Sequence, residues 1–409
     1  MSTQATAPAP ASQAPQPKTG SANPLVALTA NLRQSGIYIA FVLVVALFAI
    51  LTDGQSLAAR NVSTIVTQYA YVLVLAIGML IVIVAGHIDL SVGSVLAVVG
   101  AVAARLAITY EQPWWVAALA GLAVGIVIGA WQGFWVAYVG VPAFIVTLAG
   151  MLLFRGLDYL VLENISLSGF PQSYQDLATG YLNGLMGGYG YDAFTLLIGA
   201  VAVAGFVAQQ LRTRRARIKY QQVVEALPVL LLKIVVVGAV VMWFAWQLAT
   251  ARGLPIVLIT LAFLIMAYVV ITKSTVFGRQ VYAIGGNLSA AMLSGVNVRK
   301  VNFWIFVNMG FLAGVAGVIF SAYTNGAQPA AGTGAELDAI AAAFIGGAAV
   351  TGGVGTIVGA MVGGLLVAVI NNGMIILSLG QEWQFIIRGL VLLLAVAFDV
   401  YNKRRSGTR

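Results

Sequence analysis

The 409-residue chain has no cysteine, a single histidine and only 12 acidic side chains. Without cysteine there is no disulfide, no thiolate metal site and no cysteine nucleophile. One histidine, with no HExxH and no Walker-type GxxxxGK[ST] pattern, leaves no recognisable catalytic or nucleotide-binding machinery. Charge is scarce as well: 8% of residues are Asp, Glu, Lys or Arg, against roughly 25% in soluble domains. What fills the space is apolar. The chain is 61% hydrophobic with a mean hydropathy of +0.97, and a fold so apolar would not stay dissolved in water. The reading is an all-α polytopic membrane protein, because a bilayer demands that every backbone polar group be satisfied within its own segment.

Runs near the roughly 20 residues that a spanning helix needs lie at 36–52, 62–85, 90–108, 115–139, 141–162, 191–210, 229–249, 254–272, 301–322, 337–350, 355–379 and 384–401. About 12 transmembrane helices are therefore expected, with 337–350 too short to cross straight and read as re-entrant. Residues 1–35, which open on Ala, Pro, Gln and Ser, read as a disordered cytoplasmic tail with no apolar signal region. Residues 36–402 form the transmembrane domain and 403–409 a basic tail. The net charge of +9 sits in the segments around 212–219, 273–300 and 403–409, all on one side by this count. Outside the apolar runs, only Arg60 and Arg252 fall on the other. The charge thus sets orientation, termini inside, and does not call for nucleic acid.

One polar island interrupts this pattern, TVFGRQVYAIGGNLSAAMLSGVNVRK at 275–300. It carries Arg279, Arg299 and Lys300, with Lys273 just upstream, and no acid. Gly285, Gly286 and Asn287 read as a turn, followed by a short amphipathic helix over 288–293 that stops at Ser294 and Gly295. The spacing GR-x-x-YA-x-GGN-x-x-AA-x-x-SGV, from Gly278 to Val296, resembles the coupling segment of the inner-membrane permeases of bacterial monosaccharide ABC importers, the ribose, xylose, arabinose and galactose group. The resemblance continues through IDLSVGS at 88–94, the segment 141–156, the segment 336–364 and the Asn371, Asn372 pair. The extra helix pair at 191–253 resembles the longer xylose and multiple-monosaccharide branch.

Several residues are candidates for the path itself. Asp89, between two apolar spans with His87 and Ser91, has three readings. It can line a sugar path, carry a coupled proton with His87, or brace a helix break by accepting backbone N–H bonds. Phe144 and Thr147 offer an aromatic, mildly polar wall. Asn371 and Asn372 are neutral amides suited to an uncharged polyol, or to bonds between helices. Arg155 and Asp158 share a helix face and are read as an anchor near the outer boundary, and Glu336 and Asp338 as the end of an outer segment. Trp114, Trp115 and Trp383 read as belt residues at the membrane interface.

Glycines recur every four residues at Gly121, Gly125, Gly129 and Gly133, and again at Gly355, Gly359 and Gly363. Such stripes let another backbone approach closely, and packing within one subunit is favoured here over a subunit contact. Interruptions at 86–93 and 346–355 echo each other and point to a path between repeats.

What the resemblance implies is a homodimeric permease for monosaccharides such as xylose, glucose, galactose and arabinose. It would work with an ABC-type ATP-binding subunit and a periplasmic sugar-binding protein in the bacterial inner membrane. Gly278, Arg279, Gly285, Gly286, Asn287, Ala290, Ala291, Ser294 and Gly295 would meet the ATPase. The chain itself would be no enzyme and hold no cofactor, ATP and Mg being used by the partner. A dedicated xylose permease, or a proton-coupled symporter using Asp89 and His87, are the alternatives.

Overall fold

The computed structural model describes residues 32–222, 224 and 226–405; the tails at 1–31 and 406–409 lie outside them. The first helix, α1 (Leu32–Leu51), is followed by α2 (Ala59–Val84), α3 (Val92–Ala104), α4 (Trp114–Phe134) and α5 (Ala143–Leu162). Pi turns extend α3 to Thr109 and α4 to Val139. A short helix α6 (Gln172–Thr179) precedes a hairpin of α7 (Ala193–Lys219) and α8 (Leu227–Ala251). Then come α9 (Ile256–Ser274), α10 (Val276–Gly286), α11 (Leu288–Leu293), α12 (Val298–Thr324), α13 (Ala335–Ile345), α14 (Ile357–Ile376) and α15 (Gln381–Arg405).

Among the described residues nine of these helices are long and apolar enough to cross a membrane. Each of the 12 expected runs coincides with a helix. The three beyond the nine are α1, whose apolar part is Gly36–Leu51, the 11-residue α13 and α15. At 1.5 Å per residue α13 reaches only about 17 Å, so it crosses half a bilayer at most.

Proline and capping residues start the helices where the sequence places them. Pro113, Pro142, Pro171 and Pro255 each stand just before a first turn, where a missing N–H costs nothing. The side chains of Asp192, Thr275 and Thr356 accept the N–H of Thr195 (2.9 Å), Gly278 (3.1 Å) and Gly359 (3.0 Å). These caps serve donors that lipid would leave unpaired.

Helix α2 is the axis of the fold. It is enclosed by α12, α13, α14, α9 and α8, and Leu75, Ile77, Met79 and Leu80 have no exposed surface. The first glycine stripe lies on α12 of the same chain. A β-carbon on Gly129 would collide with the Phe306 carbonyl oxygen, and one on Gly125 would come within 2.9 Å of the Gly314 Cα. The second stripe lies on α13: Gly359 faces the Gly346 carbonyl and Gly363 the Ala342 carbonyl. Close backbone approach is what holds helices together where lipid removes the hydrophobic driving force.

Two small antiparallel ladders tie the helix ends on one side. Leu167 and Ser168 (β1) pair with Ala327 and Gly326 (β4), and Tyr181 and Leu182 (β2) pair with Pro255 and Leu254 (β3). The α7–α8 hairpin stands largely exposed and touches the core through α8 against α2. The basic run at 212–219, expected as a hook between spans, continues α7 as helix.

Substituting Gly129 with Leu forces α4 away from α12 and is expected to destabilise the protein by about 1–3 kcal/mol. Gly156→Ala meets open space and serves as the neutral comparison. Thermal unfolding of the two variants in detergent, followed by size-exclusion fluorescence, checks the difference.

Candidate functional site

The island at 275–300 is not a loop but two short helices. Gly285 and Gly286, expected in a turn, close the last turn of α10. Asn287 turns the chain: its side chain accepts the N–H of Ala290 at 2.9 Å and caps α11. Gly295, at φ +82°, ends the motif in the left-handed conformation that glycine adopts freely. Gly286, Ala290 and Ser294 are exposed, whereas Gly278 and Ala291 are buried and hold the pair in place. Arg279 donates to the Ser274 carbonyl at 3.2 Å, and Arg299 and Lys300 are exposed beside it.

The chemistry of the tip was missed in the sequence. Leu293 is 91% exposed, and Met292 and Leu288 about half. The alternation of these residues with Ser289 and Ala290 was legible as amphipathic, but which face lay outward was not.

Beneath the tip, α10 meets both helix interruptions at one place. The Gly353 N–H donates to the Val84 carbonyl at 2.8 Å, joining the break after α2 to the break before α14. Gly285 is wedged against the same two groups, and a β-carbon there would overlap the Val84 oxygen. The Tyr282 hydroxyl donates to the Gly355 carbonyl at 2.7 Å. Main-chain groups that a broken helix leaves unpaired are satisfied by the other break and by α10. The two interruptions read separately in the sequence are thus one junction.

The candidate path residues divide into two groups. In the first, Asp89 is 1% exposed. Its Oδ1 accepts the N–H of Ser91 at 2.8 Å and the Ser91 hydroxyl at 2.7 Å. Gln132 Nε2 donates to that Ser91 oxygen at 2.6 Å, and Thr147 donates to the Ile88 carbonyl at 3.3 Å. Gln132 was not singled out, since one amide in an apolar span carries no pattern. His87 lies against the Phe306 ring with centroids 5.9 Å apart, and no hydrogen bond or ion pair joins it to Asp89 among the described residues. Phe144 points away, 54% exposed. The arrangement is a turn braced by its own carboxylate.

The second group is distant in sequence and separate in space. Asn371 Oδ1 accepts from Arg388 Nε at 2.8 Å, and Asp338 lies 3.7 Å from Arg388 Nη1 and 3.5 Å from Asn371 Nδ2. Asn372 and Asn61 exchange amide bonds at 2.8 and 3.0 Å. Asp338 stands in the first turn of α13, just past the segment leading into it, and is buried and paired with Arg388 of α15, because an acid there needs both a cation and the helix's positive end. Arg155 and Asp158 do more than anchor a boundary. Asp158 accepts the Ala330 N–H at 3.1 Å and Arg155 donates to the Ala331 carbonyl at 2.5 Å, so both grip the segment leading into α13.

A family model described as "Branched-chain amino acid transport system / permease component" matches residues 61–396. The chain belongs to this permease family. A xylose transport system permease protein of Haemophilus influenzae is 40% identical over 375 residues, 92% of this chain and 98% of that one. Its namesake in Escherichia coli K12 is 39% identical over 377 residues, covering 90% and 93%. A ribose import permease protein of Escherichia coli K12 is 34% identical over 346 residues, covering 85% and 87%. No solved structure matches the permease. The multi-pass, all-helical architecture and the permease assignment agree.

Replacing Asp89 with Asn keeps the oxygen that accepts from Ser91. The variant permease is expected to fold and retain part of its transport, whereas Asp89→Ala, which strips the brace, is expected to lower the unfolding temperature. Uptake abolished in a well-folded Asp89→Asn variant would place that carboxylate on the path instead.

Proposed function

We propose that the permease is the membrane subunit of an ATP-driven, binding-protein-dependent importer of monosaccharides, working as a homodimer in the bacterial inner membrane. The observation that carries this reading is the α10–α11 knob. An exposed apolar tip with basic flanks and no acid stands on a junction of two helix breaks, and such a surface suits a soluble motor. Nucleotide-driven closure of a partner ATPase would press on Gly286, Ala290 and Leu293. Gly285 and Tyr282 would pass the displacement to the chain at 346–356 and to the end of α2. The chain hydrolyses nothing in this scheme.

The substrate class follows from the relatives, whose names give xylose and ribose. Coverage of nearly the whole chain by two xylose permeases favours xylose within a broader monosaccharide range, and a dedicated xylose permease is the narrower form of the same reading. The knob, with the clusters at 212–219 and 403–409, faces the cytoplasm by the excess of Lys and Arg. Both termini then lie inside.

In proteoliposomes, sugar uptake is expected only when ATP, the ATPase and the binding protein are all present. Uptake driven by a pH gradient alone, and collapsed by a protonophore, would mean a symporter using Asp89 and His87. Ala290→Trp and Leu293→Glu are expected to abolish co-purification of the ATPase while the permease still inserts and dimerises. Retained association in both variants rules the knob out as the motor's handle.

A further inference from the structure

Most path residues expected from the sequence have spent their polar groups; the exception is His87, whose Nε2 is buried without a hydrogen bond among the described residues. Asp89, Ser91, Thr147, Asn371 and Asn372 are all bonded inside the chain. A polyol crossing here needs partners that are still open, and the structure holds such a set elsewhere.

A cavity of about 180 Å³ lies among the first turns of α2, strand β2 and the ends of α8 and α12. It is at the opposite end of α2 from the Val84 junction. Helix α2 has 26 residues, about 39 Å at 1.5 Å each, so cavity and knob sit on opposite sides of the membrane.

The lining includes Arg60, Thr64, Thr67, Tyr181, Arg252 and Tyr323, and no carboxylate. Its donors are uncommitted. The Arg60 guanidinium and the Tyr323 hydroxyl have no hydrogen-bond partner among the described residues, and Arg252 only lies over the Tyr181 ring, 5.7 Å from its centroid. Its acceptors are equally available. Thr64 gives its hydrogen to the Arg60 carbonyl at 2.9 Å, and Thr67 gives its own to the Thr64 carbonyl at 3.1 Å. Each is left with lone pairs on its oxygen. Ser63 and the Tyr181 hydroxyl share one hydrogen bond at 3.2 Å and keep further capacity.

An oxyanion would welcome the two guanidiniums but meet the spent threonine oxygens lone pair to lone pair. A neutral polyol is the better match, because each of its hydroxyls both donates and accepts. We infer that this cavity is an outer docking subsite for a neutral monosaccharide, occupied between delivery to the membrane and passage through it. The inference rests on the sugar-import reading for its ligand class. Arg60, Arg252 and Tyr323 supply donors, and Thr64 and Thr67 supply acceptors. Tyr181 fixes Arg252 from below and adds a hydroxyl.

The full-length permease in lipid nanodiscs, without its partners, is titrated with D-xylose, D-ribose and D-galactose by saturation-transfer NMR, with inorganic phosphate as competitor. At least one sugar is expected to bind and to resist displacement by phosphate. Tyr323→Phe combined with Thr64→Val removes one donor and one acceptor at nearly constant shape. It is expected to weaken binding about tenfold, the scale of two lost hydrogen bonds. If that pair fails to give a monodisperse protein, Arg252→Gln, at an exposed position, is read alone and is expected to weaken binding at least about threefold. Unchanged affinity in the folded variants, no binding of any of the three sugars, or displacement by phosphate each overturns the subsite. Binding here with no ATP-driven uptake in the complete system would instead defeat the import reading and leave the cavity standing.

Discussion

The fold depends on one rule of the bilayer: a peptide group with no partner in lipid costs several kcal/mol. Most of the chain obeys it by being helical. The breaks after α2 and before α14 do not, and the molecule joins them to each other and to α10. The Gly353 N–H reaches the Val84 carbonyl at 2.8 Å, and α10 is laid over that bond with Gly285 against it. The segment that carries the exposed knob is therefore seated on the only kind of backbone a membrane tolerates poorly. Structural necessity and mechanical opportunity coincide there: segments freed from helical bonding have fewer constraints on their movement, and they are the ones α10 touches.

Much of this was legible in the residues. Length and hydropathy gave the number of apolar segments and the short α13. Prolines and capping threonines marked the helix starts, because they act within one turn. The pattern from Gly278 to Val296 pointed to the permease family, and the fourfold glycine spacing to close helix packing. What stayed hidden was long-range pairing. Nothing local tells Asp338 that its cation is Arg388, 50 positions later, or Asn372 that its partner is Asn61. The expected turn over Gly285, Gly286 and Asn287 begins only at Asn287, because glycine signals both a stop and a close approach, and at Gly285 it is the approach that matters. Phe144 lies outside the Asp89 group because the face of a helix cannot be assigned from one aromatic side chain.

The polar residues inside the membrane serve different ends. Asp89 with Ser91 and Gln132 holds a bend; Asp338 with Arg388 and Asn371 pins the half-length α13 to α14 and α15; Arg155 and Asp158 hold the chain that enters α13. Asp89, Asp338 and Arg155 are bonded within the chain, as burial in low dielectric requires, whereas Asp158 keeps one buried oxygen without a partner. The cavity at the start of α2 differs because its donors and acceptors remain open. Polarity that closes on itself builds structure, while polarity left open is where a solute can exchange water for protein.

The Val84–Gly353–Gly285 contact is made from main-chain atoms, and this changes how its importance would register in a survey of variants. Truncation to alanine, ordinarily the gentlest way to question a side chain, adds bulk at a glycine and so becomes the harshest question one can ask of Gly285. A screen that scores lost side chains would pass over this junction and report it as blank ground.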